Sequence, residues 1–217
     1  MSIINTKGVA IYISKGDATA ESLVPTAISS ANPAVVTVAS ATNVTKGDVV
    51  TFETTGFPEL DGKTFVVGTV DGTANTFEVI GGDTTNTTGT LGSSPKASVY
   101  KAADQVKLCL SGIEIGQPST SEIDVSTFCG VASLPGKATP GSLSLTGYAD
   151  KTDVGLAELI LADEDGAARY FEIVLPNDNG YLVGQVTFSG FGMTVPLEGA
   201  VGFTITGSQT QKIVWRH

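Results

Sequence analysis

His217, the last residue, is the only histidine of a 217-residue chain. Histidine is the side chain that most often moves protons near neutral pH. A serine, threonine or cysteine nucleophile therefore finds no base except at that terminus. Cys109 and Cys129 cannot build a metal set with one histidine, nor do two cysteines make a disulfide framework; they read as free, buried thiols of a cytoplasmic chain. The 22 carboxylates are scattered, and no spacing singles out an acid–base pair. Gly130 to Gly136-Lys137 has the look of a phosphate loop. Its glycine spacing is one residue too long, and Ala138 stands where serine or threonine would hold magnesium, which leaves a flexible loop. Asp163-Glu164-Asp165-Gly166 has the look of calcium ligands. An EF-hand loop starting at Asp163 needs glutamate at its twelfth position, and Val174 is there, so a solvated helix end is the plainer reading. The sequons Asn43-Val44-Thr45 and Asn86-Thr87-Thr88 matter only in a secreted chain. No catalytic, cofactor-binding or metal-binding residue is assigned, and the chain is read as no enzyme.

Charge is more informative than any motif. The formal net charge is −10, and it is spread out: residues 25–95 hold seven acids and two bases, residues 96–217 thirteen and eight. Such a surface repels nucleic-acid phosphates, which argues against a protein that grips DNA or RNA but not against one that DNA must pass without sticking. No apolar run approaches the ~20 residues of a membrane-spanning helix. Met1 to Asn5 lack the basic region and apolar core of a signal peptide.

Many short strands are expected from 26 Gly, abundant β-branched residues and few aromatics. The stretch 25–95 holds 16 of the 28 Thr. There Val35–Val38, Val49–Phe52, Thr64–Val67 and Thr76–Ile80 read as strands joined by turns at Gly47-Asp48, Asp61-Gly62 and Asp71-Gly72. Pro25, Pro33 and Ser93-Ser94-Pro95 bracket it as a small domain inserted on flexible joints. Outside it, Val9–Ile13 is a strand, and Val106–Ile115 is a strand pair or one long strand. Gly116 to Gly141 is a loop too long for a plain connection and is therefore a functional candidate. Ser142–Gly147 is an alternating strand. A single helix starts after Asp150, capped near Lys151 or Thr152, with Leu156, Leu159 and Ile160 on its inner face and its end at Asp163–Gly166. Arg169–Leu175, with Phe171, Ile173 and Leu175 inward, pairs with Tyr181–Val195 across Pro176–Gly180, and Gly190-Phe191-Gly192 bulges the return strand. A final strand carries Val201, Phe203 and Ile205, followed by a polar turn and Ile213–Trp215.

Residues 1–24 joined to 96–217, about two-thirds of the chain, resemble the major tail tube proteins of long-tailed, non-contractile, lambda-like bacteriophages. The resemblance rests on the order of Gly112-Ile113-Glu114-Ile115-Gly116, Ser121 to Ser126, Leu143 to Gly147, the helix, the Pro176–Gly180 turn, Gly192 to Pro196 and Ala200 to Phe203. These are soft β-patterns rather than invariant chemistry. Residues 25–95 are similar to a half-domain first named in ubiquitin-activating enzymes, on Ala31 to Thr37, Lys46 to Val50, Leu60 to Phe65 and Asn75-Thr76-Phe77. With no cysteine in that stretch, no ubiquitin chemistry carries over.

The resemblance implies a mainly β fold: a two-sheet β-sandwich with one flanking α-helix, plus the small all-β inserted domain. It further implies a structural virion protein whose homohexameric rings stack into the conduit for DNA ejection. The partners it implies are further copies, a tape-measure protein, a tail-tip initiator and a tail terminator. DNA passes without specific binding, no membrane is involved, and the chain resides in the virion tail after assembly in the host cytoplasm. The long loop is expected to reach the neighbouring ring, with Glu122, Ile123, Asp124 and Lys137 as inter-ring contacts. Two rival readings stand beside it. One is a surface-binding module for carbohydrate or protein, with Phe52, Phe57, Phe65 and Phe77 as candidate contacts. The other is the tube protein of a contractile tail or type VI secretion system.

Overall fold

A computed structural model describes residues 8–41, 43–87, 89–124, 133–176 and 179–217. It is mainly β, in antiparallel sheets, with one α-helix among the described residues. The chain opens on β1 (Ala10–Ser14) and then enters a complete second sheet: β2 (Glu21–Leu23), β3 (Pro25–Ile28), β4 (Ala34–Val38), β5 (Val49–Glu53), β6 (Thr64–Asp71), β7 (Thr76–Ile80) and β8 (Lys96–Tyr100). It returns through β9 (Gln105–Lys107), β10 (Leu110–Ile115), β11 (Ser119–Asp124), β12 (Ser133–Thr139), β13 (Ser142–Tyr148), α1 (Val154–Asp165), β14 (Ala168–Val174), β15 (Tyr181–Thr194) and β16 (Gly202–Arg216).

The first sheet has the order β10-β13-β16-β15-β14-β1-β9. Its two long strands, β15 and β16, give it two halves. β13 pairs with the first half of β16, Gly202–Ser208, whereas β14 pairs with the first half of β15, Tyr181–Thr187. Register shifts at Val183/Gln185, Gln185/Val186 and Ser189/Gly192 bend the shared hairpin, the last being the bulge expected at Gly190–Gly192. The inner side chains of both halves, among them Ile13, Leu145, Phe171, Phe188 and Ile205, meet Leu156 and Leu159 of α1 in one core. Asp153 caps α1 by accepting from Gly155 N at 2.8 Å, so the cap falls one residue beyond Thr152. Gly166 ends the helix at φ 61°, in the left-handed region. Asp165 does not stand free at that end, because buried Arg169 of β14 bonds both its carboxylate and Glu158.

The inserted sheet, β2-β8-β5-β6-β7-β4-β3, has its own core of Phe52, Phe65, Phe77, Val50 and neighbours. It does not hang on free joints. The chain enters on β2 and leaves on β8 as a hydrogen-bonded pair, Glu21 opposite Val99 and Leu23 opposite Ala97. The inserted sheet therefore extends a few residues beyond 25–95 at each end. Asp48, fully buried, accepts from Thr45 N and Ala102 N, each at 2.9 Å, and Lys101 ion-pairs with both Asp48 and Glu21. The polar turn residue thus ties the entry and exit strands together.

The two sheets also meet face to face. The Tyr170 ring packs 4.0 Å from that of Tyr100 between centroids, and its hydroxyl accepts from Thr51 Oγ1 at 3.2 Å. Thr64 Oγ1 donates to Gln211 Oε1, Arg216 Nε donates to Thr64 O at 3.3 Å, and the Arg216 guanidinium lies 4.0 Å above the Phe65 ring. Hence β14, expected to bury only Phe171, Ile173 and Leu175, buries Tyr170 and Glu172 on its other face as well.

Three further expectations are corrected. Val106–Ile115 holds two strands, but they do not pair with each other: β9 joins β1 and β10 joins β13. The polar segment Gly207–Gln211 is not a turn but the middle of β16, because Gln209 is buried and bonded there. Cys109 is exposed between β9 and β10, not buried; Cys129 lies outside the described residues.

Burial pushes the Glu172 carboxyl up to about 7, from an ordinary 4.5, with a hydrogen bond to Gln105 opposing the shift. Between those values the folded chain binds more protons than the unfolded one. Stability therefore falls as pH rises through this window and levels off above it. Glu172→Gln should flatten that decline and stabilise the fold by roughly 2–3 kcal/mol at about pH 8, with little gain at about pH 4. Urea melts of both chains at the two pH values check this, and an undiminished pH slope in the variant would assign the decline to other groups.

Candidate assembly interface

The long Gly116–Gly141 connection is an ordered arm over its described residues. β11 and β12 pair antiparallel, Ser119 opposite Thr139 and Ile123 opposite Leu134, and neither pairs with any other strand among the described residues. A bulge between Thr120 and Glu122 brings Gly136 against Ser121, where a Cβ would lie 2.9 Å from the Ser121 carbonyl oxygen. Gly136 is thus required by close strand approach, which a phosphate-loop reading of the same glycine misses. Glu122 and Lys137 are exposed on the arm, and Asp124 sits opposite Ser133 at its described end. Ile123 and Leu134 face each other 53% and 55% exposed, an apolar cross-strand pair in water. A two-stranded ribbon is marginal by itself, and this pair leaves apolar surface exposed on it.

The arm's root is rigid. Gly116 and Ser142 exchange backbone hydrogen bonds of 2.9 and 3.1 Å, continuing the β10–β13 ladder, and Gln209 N donates to Gly141 O at 2.8 Å. The buried Gln209 side chain then donates to Gly116 O at 2.8 Å and Ser142 O at 3.3 Å, while its Oε1 accepts from Ile213 N at 3.1 Å. One amide serves both strands of the root and the backbone of β16. Gly141 leaves room for it, since a Cβ there would come within 2.6 Å of Gln209 Nε2.

Sheet edges are the second feature. In the inserted sheet the edge strands β2 and β3 are three and four residues long, too short to template another strand well. In the first sheet β9 is equally short, and the Gln211–Arg216 stretch of β16 lies against β6 through Thr64. Two longer edges remain. Among the described residues, β10 pairs only with β13, and beyond Thr187 β15 pairs only with β16, with Phe191 N donating to Asp163 Oδ1 at 3.4 Å. These two edges flank the same half-sheet, β10-β13-β16-β15, on opposite sides.

Of the residues named from sequence, the arm brings Glu122, Ile123, Asp124 and Lys137 onto one ribbon. Sequence reasoning missed Leu134, whose place opposite Ile123 depends on a bulged strand register that no local pattern reveals, and it missed the buried role of Gln209. His217 instead lines a cavity of about 260 Å³ between the sheets with Lys46, Glu78 and Tyr181. The aromatic candidates Phe52, Phe57, Phe65 and Phe77 are all buried.

Gln209→Ala leaves Gly116 O, Ser142 O and Ile213 N without their side-chain partner and should cost about 2–3 kcal/mol. Chemical denaturation reads the loss as a lowered midpoint at unchanged slope. A change below 0.5 kcal/mol, roughly the scale of a surface substitution, would mean the root is held by its backbone bonds alone. No protein-family model matches the chain, and no curated protein matches it.

Proposed function

We propose that the chain is a structural subunit of a phage tail tube: homohexameric rings, stacked head to tail, that form the conduit for DNA during ejection. The observation that carries this reading is the half-sheet with an open edge on each side. β10 of one copy laid against the distal half of β15 in the next extends the sheet across the subunit boundary, and a closed ring leaves no edge unpaired. The contact is heterologous, so one pair of surfaces serves every junction in the ring. The arm, rooted on the same half-sheet, then reaches the next ring. Its Ile123 and Leu134 supply the apolar contact and Glu122, Asp124 and Lys137 the polar rim.

The net charge of −10 fits a wall that DNA passes without adsorbing. Screening confines each charge to about 8 Å at physiological salt, so the effect depends on repetition along the tube. A tape-measure protein, a tip initiator and a terminator are the partners this assembly requires. The rival surface-binding module loses its aromatic contacts to the inserted core, and the inserted sheet adds bulk that a close-fitting contractile sheath would have to accommodate.

Negative-stain electron microscopy of the purified chain over a concentration series is the first test. Rings or hollow tubes are expected, and monodisperse monomers at every concentration, with or without a tail-tip initiator, would sink the proposal. Deleting residues 119–138 should leave a folded subunit with an unchanged thermal midpoint that forms no tubes. Normal tubes from the deleted chain would remove the arm from the stacking contact.

A further inference from the structure

The arm's receptor on the next copy is the question the tail tube proposal leaves open, and the distribution of exposed apolar side chains answers it. The arm leaves the first sheet at the end marked by Ile115, Ser142 and Ser208. At the opposite end of the same strands, Tyr148, Gly202 and Thr194 lie in one row across β13, β16 and β15. Directly paired residues share a face, so Gly202 leaves a notch between Tyr148 and Thr194, with only the Gly147 carbonyl oxygen within 4 Å of where a Cβ would be. Exposed large apolar side chains stand on both faces of this end: Tyr148 on the face of the notch and Met193, paired with Phe203, on the other, with Val195 at 73% exposure and a fully exposed Leu197 in the segment that follows β15. Exposed apolar side chains gathered at one place mark an interaction surface.

We infer that this end of the half-sheet, where Tyr148, Met193, Val195 and Leu197 stand exposed, receives the Ile123–Leu134 pair of a second copy's arm. Three observations select that occupant. Donor and acceptor lie at opposite ends of β13, so a shift along the strands brings one onto the other and repeats without limit. Both are apolar and exposed. Each carries one exposed acid and one exposed base beside it, Glu122 and Lys137 on the arm and Glu198 and Lys151 at the acceptor, so neither presents a net charge that would repel the other. The inference rests on the tail tube proposal for its head-to-tail stacking, but it names a surface which that proposal does not.

A photo-crosslinking residue in place of Ile123, in the otherwise intact full-length chain, tests the two separately. Cross-linked peptides that join position 123 to residues 148–151 or 193–198 of a second copy are expected. Links to any other surface of a second copy would overturn the acceptor while leaving self-assembly in place, and a chain that stays monomeric at every concentration would overturn both. Leu197→Glu, in an exposed turn where folding is not at stake, should raise the concentration needed for tubes at least tenfold, on the scale of losing one buried leucine contact. Ring formation should persist in that variant. Tubes at the parent's concentration would count against the acceptor.

Discussion

Tyr170 stands where the two sheets press together, and the face-to-face contact around it governs the rest of the molecule. The residue is buried, its ring lies on Tyr100, and its hydroxyl meets Thr51 across the boundary. Burial pushes that hydroxyl's ionisation upward, as expected of a phenol sealed from water but still hydrogen-bonded. Because the inserted sheet covers this face, β14, β5 and the first five residues of β6 are buried on both sides. A strand covered on one side alternates, whereas these do not. The same contact determines which edges are closed, since Thr64 meets Gln211 and Arg216 where β16 would otherwise run uncovered.

With one half of the first sheet covered in this way, the other half is left uncovered by the inserted sheet. Its strands carry a rigidly rooted arm at one end, exposed apolar side chains at the other, and an open edge on each flank. Rigidity at the root matters physically. If the arm docks as proposed, Gln209 and the Gly116–Ser142 ladder leave Ile123 and Leu134 less conformational freedom to lose, so more of their burial would appear as binding. The division of labour follows from connectivity: the insertion enters right after β1, an interior strand of the covered half, and cannot shield β10 or distal β15.

Much of this was legible in the residues. Runs of β-branched and aromatic residues located β4, β5, β6 and β7, alternation located β13, and Asp-Gly pairs located turns. The helix was legible from Leu156, Leu159 and Gly166. The bulge at Gly190–Gly192 followed from two glycines in a strand. The arm was legible only as an overlong connection, because serine, threonine, glycine and proline obscure an alternation that no main sheet supports. Gln209 was read into a turn, since an amide among serine and threonine looks solvated until the chain supplies three buried partners for it.

The sequence by itself determined a mainly β chain with one helix, a single histidine, a net charge of −10 and a long segment without an obvious place. These are local or summed properties, set by side-chain period, turn chemistry and charge. Tertiary structure alone decided that the inserted sheet docks through Tyr170, that Glu172 is buried, and that the open edges fall on one half. Each of these depends on which faces meet, and faces distant in sequence meet through the whole topology rather than through any local pattern.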